Sequence, residues 1–235
     1  MQYGSEPAAG IFQRHVENSL SGIERTVVKI DDILISGRED ADHFDNLDKV
    51  LQKIEDMGAT VNRNKCVFLA DEVEYVGFII DKNGVRPTQK KIESIVKIPE
   101  PSNLKELQSF IGGINYYSRF IDNMSTIAKP LYRLIEKDSK WQWTSEEQEA
   151  FNTLKYKLIK APILCLYSSQ LPLILACDAS HYGLGVVISY ILPDGSEKPI
   201  AYSSRTLNSH EINYSQVDKE GSDVWYIEIQ PVHTR

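Results

Sequence analysis

Two adjacent aspartates are the first residues in the chain whose type and spacing could do chemistry. Asp31 and Asp32 stand between two β-favouring runs, Val27–Ile30 and Ile33–Ile35, which predict a tight hairpin with both carboxylates at its tip. Neighbouring carboxylates repel each other unless a cation lies beside them, so the pair is a candidate divalent-metal site. Aspartate is also common in turns for its bonds to the backbone, and for this pair alone that explanation is the more frequent one.

The last third of the chain adds two more acidic candidates. Its patterning predicts an antiparallel meander with strands at 173–177, 183–188 and 199–202, and Asp178 stands at the end of the first strand. A capping pattern further on predicts a helix with Glu220 in its first turns. Each residue has a plainer explanation, because strand-end aspartates form turns and helical glutamates are commonly solvated.

Other elements must position these carboxylates. After the hairpin, apolar residues at spacings of three and four predict a helix over 44–57 that ends at Gly58. Two short strands are predicted next, at 67–69 and 75–80, because both runs are rich in β-branched and aromatic residues. The hairpin, the helix and these strands would form one αβ region.

The middle of the chain is predicted to be helical. Capping-box patterns at Asn103–Glu106 and Thr144–Glu147 mark two helix starts. Gly112–Gly113 lies inside the first of these helices, where glycine is unfavourable, and a close approach by another backbone would explain it. Prolines are expected to divide the segment into short rods at Pro87, Pro99, Pro101 and Pro130.

The net charge of -7 argues against a generic nucleic-acid binder, but the charge is unevenly distributed. Residues 31–85 carry a net charge of -7, residues 86–140 a net charge of +4, and residues 141–235 a net charge of -4. Contacts with phosphates would therefore concentrate in the middle segment, since Lys and Arg supply the electrostatic part of nucleic-acid affinity. A solvated helical surface explains the same charges equally well.

The three cysteines, Cys66, Cys165 and Cys177, are widely spaced and contain no CxxC pair. Neither a disulfide framework nor a zinc site is indicated, and a reducing compartment fits best. No window reaches the roughly 18 apolar residues that a membrane span needs, and the first residues do not resemble a signal peptide. We expect an intracellular protein, cytoplasmic or nuclear, that is neither membrane-bound nor secreted.

Many short motifs follow one another in order along the chain. Their order and spacing resemble those of gypsy-type LTR-retrotransposon reverse transcriptases, over nearly the whole chain to about residue 220. So many ordered motifs make a chance match very rare. The motifs are Phe12–Arg14, Ile30–Ile35, Asn64–Cys66, Tyr75–Gly77, Gly84–Pro87, Leu107–Gly112, Asn115–Ile121, Trp143–Thr144, Cys177–Ser180, Pro199–Arg205 and Asn213–Ser215.

The resemblance implies an α/β (α+β) fragment of a retrotransposon Pol polyprotein with three parts. Residues 1–80 would be the C-terminal part of a reverse-transcriptase palm, residues 81–140 a helical thumb and connection, and residues 141–235 a truncated ribonuclease H-like domain. The implied function is RNA-directed DNA synthesis coupled to degradation of the RNA strand in a hybrid. Primer–template nucleic acid, an RNA/DNA hybrid and the rest of the Pol polyprotein would be the partners.

The resemblance also implies roles for the acidic residues. Asp31 and Asp32 match the paired aspartates of the Tyr-x-Asp-Asp motif, and Asp178 and Glu220 match two metal-binding carboxylates of ribonuclease H. Such sites use two metal ions that stabilise charge on the transferring phosphoryl group. Mg²⁺ is the expected ion, with Mn²⁺ as the alternative.

The chain departs from the family pattern in two ways. Lys29 stands where the motif has tyrosine, and its ammonium group can pair with the aspartates and compete with a metal ion. A third palm aspartate would precede Met1, and the next ribonuclease H aspartate would follow Arg235. We therefore expect the isolated chain to be inactive; the alternative is a non-catalytic nucleic-acid-binding remnant or a decayed retroelement fragment.

Overall fold

A computed structural model of the protein describes residues 8–214, apart from 138, 169, 181 and 209. The chain divides into two compact units, one that runs to Val76 and one that begins at Gly77. None of the helices in the described part is long and apolar enough to cross a membrane. The predicted helix that carries Glu220 lies outside the described residues.

The first unit packs helices against an antiparallel hairpin. Strands β1 (Thr26–Lys29) and β2 (Asp32–Ile35) pair in register, with Val28 opposite Ile33. A small core forms beneath the hairpin from Val16, Leu20, Val50 and Ile54, with Val28 and Ile33 packed against it. The elements are α1 (Ala8–Leu20), β1 (Thr26–Lys29), β2 (Asp32–Ile35), α2 (Asp40–Asp56) and β3 (Glu72–Tyr75).

Helix α2 confirms the predicted helix and its glycine stop. Gly58 adopts a φ of 68°, and its N–H donates to the Glu55 carbonyl at 2.8 Å. The Ala59 N–H donates to the Ile54 carbonyl at 3.0 Å. These two bonds form a Schellman motif, in which glycine adopts the left-handed conformation at little steric cost.

Both short strands predicted after α2 were wrong in detail. Residues 67–69 form no strand, and Leu69 has a φ of 51°, which is incompatible with an extended chain. The run over 75–80 is interrupted because Val76 and Gly77 have φ values of 50° and 81°. β3 ends before this turn, and the next strand begins after it.

The second unit contains most of the described helices, a strand pair and a three-stranded meander. Its first two strands, β4 and β5, form an antiparallel pair with Ile80 opposite Val85. The elements are β4 (Phe78–Asp81), β5 (Gly84–Pro87), α3 (Gln89–Val96), α4 (Leu104–Asn115), α5 (Met124–Ile135), α6 (Ser145–Ile159), β6 (Leu173–Ala179), β7 (Gly183–Ile191) and β8 (Glu197–Thr206).

Helices α4, α5 and α6 build the larger core. Phe110 on α4 meets Phe151 on α6 with 4.5 Å between ring centroids, and both rings are buried. Both predicted helix starts are confirmed. The Asn103 side chain accepts the Glu106 N–H, and Thr144 and Glu147 form a full capping box.

Two predictions for these helices were wrong. Pro130 lies inside α5 rather than at a break, and it is buried, so core packing offsets the cost of about 3 kcal/mol for proline within a helix. Gly112 and Gly113 are not explained by a close approach, because a Cβ built on either would meet nothing within 4 Å.

Strands β6, β7 and β8 confirm the predicted antiparallel meander, in that spatial order. The turn between β7 and β8 contains Gly195, which has a φ of 81°. Helix α5 packs against β7 and β8. The end of β6, which carries Asp178, therefore lies in a unit that also contains the start of α5.

Candidate functional site

The hairpin of the first unit presents Asp31 and Asp32 to solvent. A two-residue turn, Ile30 and Asp31, joins β1 to β2 and makes Lys29 the cross-strand partner of Asp32. Both aspartates are exposed. Ile30 adopts a φ of 55°, an unfavourable conformation for a β-branched residue. Such strain persists only where the surrounding structure holds the backbone in place.

Gln13, on α1, holds this backbone. Its Oε1 accepts the N–H of Ile30, and its Nε2 donates to the Val28 carbonyl at 3.0 Å and to the Glu17 carboxylate at 2.6 Å. One amide side chain therefore bonds both β1 and the first residue of the strained turn. The sequence marked Gln13 only as part of a motif; its amide group, which offers a donor and an acceptor, was the available signal.

Lys29 changes the electrostatics of the hairpin. Directly opposed residues on an antiparallel pair have their Cβ atoms roughly 5 Å apart on the same face, so the Lys29 ammonium lies within reach of the Asp32 carboxylate. Both side chains are exposed. The lysine therefore lowers the negative potential at the position where a cation would bind.

Tyr75, at the end of β3, is electrostatically coupled to the hairpin. Its hydroxyl donates a long hydrogen bond of 3.5 Å to the Val27 carbonyl. Burial, with a smaller contribution from the negative charge of Asp32, raises the pKa of Tyr75 to about 12. The phenol is therefore a neutral donor over the whole physiological pH range.

Asp178 lies in the second unit and is the penultimate residue of β6. It is exposed, and its cross-strand partner on β7 is Gly185. The Asn123 side chain, which precedes α5, donates to its carboxylate at 3.5 Å. Sequence reasoning missed Asn123, and Glu220 lies outside the described residues.

The carboxylates of the hairpin and of β6 suit a hard divalent cation, because carboxylate oxygens are the ligands that Mg²⁺ and Mn²⁺ prefer. Asp31 and Asp32 supply two such groups side by side, and Asp178 supplies one. Within the described ranges, no three His, Cys, Asp or Glu side chains come together in a group able to hold a metal ion.

An aromatic and basic surface lies where α4 ends. Tyr117 is buried, whereas Tyr116 is 48% exposed and stacks on Phe78 with 5.3 Å between ring centroids. Arg119 is exposed, with its guanidinium carbon 5.9 Å from the Phe120 ring centroid. The structure therefore gives Tyr117 a core role and leaves Tyr116 accessible.

Two family models match the chain. "Reverse transcriptase (RNA-dependent DNA polymerase)" matches residues 1–80, and "RNase H-like domain found in reverse transcriptase" matches residues 143–226. The chain belongs to the reverse transcriptase–ribonuclease H family of retrotransposon polyproteins. Reverse transcriptases and ribonucleases H generally use divalent metal ions. The alternative of a non-catalytic or decayed remnant is not favoured by two matches in the family order.

Curated relatives support the assignment. The Transposon Tf2-3 and Tf2-7 polyproteins of Schizosaccharomyces pombe (strain 972 / ATCC 24843) are each 32% identical to the chain over 222 residues. The matched region is 94% of this chain and 17% of each relative. The chain thus spans about a sixth of the length of these relatives, and the predicted gypsy-type membership is consistent with them.

Solved structures confirm the fold class. A foamy viral protease-reverse transcriptase in complex with double-stranded DNA matches with a TM-score of 0.80 and 30% identity, over 94% of this chain and 39% of that one. The same viral protein in complex with an RNA/DNA hybrid matches with a TM-score of 0.78 and 30% identity, over 97% of this chain and 31% of that one. The reverse transcriptase fold therefore extends over nearly the whole chain.

Replacing Gln13 tests the support of the hairpin turn. Gln13→Leu keeps the size of the side chain but leaves the Ile30 N–H and the Val28 carbonyl without their partner, so we expect a loss of about 1–2 kcal/mol in the free energy of unfolding of the first unit. Hydrogen exchange at the Ile30 amide should accelerate. Gln52→Leu is the control, because Gln52 bonds only Asp56 within α2. Equal exchange at Ile30 in both variants would contradict this role.

The raised pKa of Tyr75 predicts a pH dependence. Since the neutral phenol is favoured in the folded state, its contribution to stability is complete below about pH 10 and is lost as the pH rises through about 12. The tyrosinate absorbance of the wild type minus that of Tyr75→Phe should show a midpoint near 12. In Asp32→Asn the midpoint should fall but stay above 10, because burial is the larger cause. A midpoint at 10 would show that Tyr75 is neither buried nor coupled to Asp32.

Proposed function

We propose that this chain is the part of a Pol polyprotein that contributes carboxylates to RNA-directed DNA synthesis and to degradation of the RNA strand in a hybrid. The observation that carries the proposal is the pair Asp31–Asp32, exposed at a braced hairpin tip within the segment matched by the reverse transcriptase model. The three parts are a palm segment at 1–80, a thumb and connection at 81–140, and a ribonuclease H-like domain at 141–235.

In this proposal, Asp31 and Asp32 bind Mg²⁺ in the polymerase part, and Asp178 and Glu220 bind it in the ribonuclease H part. Mn²⁺ can replace Mg²⁺ because both are hard cations that bind carboxylate oxygens. The bound ion stabilises charge on the transferring phosphoryl group. Gln13 contributes by fixing the backbone on which Asp31 and Asp32 lie.

The nucleic-acid partner in this proposal is a primer–template duplex or an RNA/DNA hybrid, held by the basic middle segment. Tyr116 supplies a ring already oriented by Phe78, and Arg119 supplies a planar group for phosphate. Exposed cationic side chains are distributed along the whole of this segment. They are Lys90, Lys91, Lys97, Lys105, Arg119, Arg133, Lys137 and Lys140. We place the protein inside the cell, where the free thiols of Cys66 and Cys165 would persist.

Metal binding at the hairpin tests the polymerase part. A unit charge about 5 Å away costs a divalent ion about 1.6 kcal/mol in water, so Lys29→Gln should tighten Mn²⁺ binding about fifteenfold at low salt, and less at high salt. Lys53→Gln is the matched control, because Lys53 is exposed on α2. Asp31→Asn with Asp32→Asn should remove this binding. Equal Mn²⁺ isotherms for the wild type and the double variant would exclude a hairpin metal site.

Hybrid binding tests the nucleic-acid part. Fluorescence anisotropy with a labelled RNA/DNA hybrid should give an affinity whose logarithm falls linearly with the logarithm of the salt concentration. On a hybrid with a single-stranded overhang, whose unpaired bases can stack on an aromatic ring, Tyr116→Ala should weaken binding by about 1–3 kcal/mol, and Arg119→Gln should reduce the salt slope by about one unit. Tyr156→Ala removes a tyrosine that is 59% exposed outside the basic segment and should have no effect. Equal affinities for all three variants would reject this surface as the binding site.

A further inference from the structure

The first turn of α5 lies against the end of β6 that carries Asp178. Asn123 precedes α5 with a φ of 51°, a left-handed conformation that asparagine tolerates better than most residues. Its side chain is half-buried, and its Nδ2 lies 3.5 Å from Oδ2 of Asp178. An uncharged donor is thus held beside a candidate metal-binding carboxylate.

Two glycines of β7 make room for the start of α5 and the residue before it. Gly185 is the cross-strand partner of Asp178, and a Cβ built on it would come 1.8 Å from Oδ1 of Asn123. A Cβ on Gly183 would come 2.7 Å from the hydroxyl of Thr126. Any larger residue at Gly185 would therefore displace the Asn123 side chain from its place beside Asp178.

Further contacts fasten the start of α5 to the same part of the sheet. The Ser125 N–H donates to the hydroxyl of Ser204 on β8 at 2.9 Å. The Thr126 and Ser180 hydroxyls are 3.2 Å apart, and Ser180 follows Asp178 by two residues. One turn later, Lys129 Nζ lies 2.8 Å from the ring centroid of Tyr182. The position of Asn123 relative to Asp178 is thus set by contacts of α5 with β8 and with the residues that follow β6.

We propose that Asn123 is a positioning residue for the Asp178 carboxylate, and that Gly185 is glycine so that the Asn123 side chain fits. This inference rests on the proposed role of Asp178 in binding a divalent cation. The amide N–H occupies one carboxylate oxygen and orients the group, which leaves the other oxygen for the cation. Asn123 lies before residue 143, so the ribonuclease H-like segment depends on a side chain outside the region that its family model matches.

The test measures Mn²⁺ binding to the full chain, in a background with Asp31→Asn and Asp32→Asn so that the hairpin does not contribute. Asn123→Gly removes the amide but keeps the left-handed backbone accessible. We expect about tenfold weaker binding of the Asp178-dependent Mn²⁺, the usual effect of losing a group that orients a metal ligand. Gly185→Ala should have the same effect, because the added Cβ displaces Asn123.

Three controls separate positioning from packing. Asn103→Gly removes another helix-capping asparagine, and Gly112→Ala adds a methyl group where nothing lies within 4 Å; neither should change Mn²⁺ affinity. Asn123→Asp keeps the shape of the side chain and adds a negative charge beside Asp178, so it should bind Mn²⁺ at least as tightly as the wild type. If Asn103→Gly or Gly112→Ala weakened Mn²⁺ binding as much as Asn123→Gly does, the loss would reflect packing and the proposal would be overturned.

A metal-free measurement distinguishes failure of this inference from failure of the proposed function. The side-chain amide signals of Asn123 in a ¹⁵N–¹H spectrum should shift in Asp178→Asn, and their constancy would overturn the contact itself. If Asp178→Asn abolishes Mn²⁺ binding but Asn123→Gly leaves it unchanged, the positioning role is wrong and the function of Asp178 stands. If no Mn²⁺ binding depends on Asp178, its proposed function fails, and the positioning role fails with it.

Discussion

Carboxylates that bind one cation must lie close together, although their negative charges repel one another. Here they also lie at strand ends, where the backbone N–H and C=O groups have few hydrogen-bond partners within the sheet. In this protein the groups that contact the candidate carboxylates or their backbone are amide side chains, one on a helix and one directly before a helix. Gln13 fastens the turn that carries Asp31, and Asn123 lies against Asp178. An amide suits this task because it donates and accepts hydrogen bonds without adding a charge that would compete with the metal ion.

The hydrophobic cores give these amides their positions. Gln13 shares one face of α1 with Val16 and Leu20, three and seven residues further on, and both of these are buried against the hairpin. In the second unit, Ala128 and Leu131 of α5 are fully buried. Burying a leucine contributes roughly 2 kcal/mol, so the packing that fixes each helix is at least as strong as the polar contacts at its end. The sites therefore depend on core residues that touch no carboxylate.

Features set by a few neighbouring residues were predictable from the sequence. The hairpin, the glycine stop at Gly58, the capping box at Thr144 and the three-strand meander all depend on local pattern, and the structure confirms each of them. The turn of the hairpin lies one residue earlier than the pattern indicated, at Ile30 and Asp31, because its strained backbone is held by Gln13 from outside the hairpin.

Features that depend on distant parts of the chain were not predictable in the same way. Pro130 stays within α5 because the core accepts its ring, and β-favouring residues at 67–69 do not form a strand. Asn123 and Asp178 are 55 residues apart, and no local pattern brings them together. The family resemblance singled out the carboxylates as candidates, but the groups that contact them could be found only from the folded chain.

The central claim is that amide side chains on or directly before a helix hold carboxylates able to bind a divalent cation. Anomalous diffraction from crystals of the chain soaked in Mn²⁺ tests this claim most directly. The account predicts anomalous density beside Asp31 and Asp32 and beside Asp178, with Gln13 still bonded to the hairpin turn and Asn123 still against Asp178. Ordered crystals with these carboxylates open to solvent and no anomalous density at either position would contradict it.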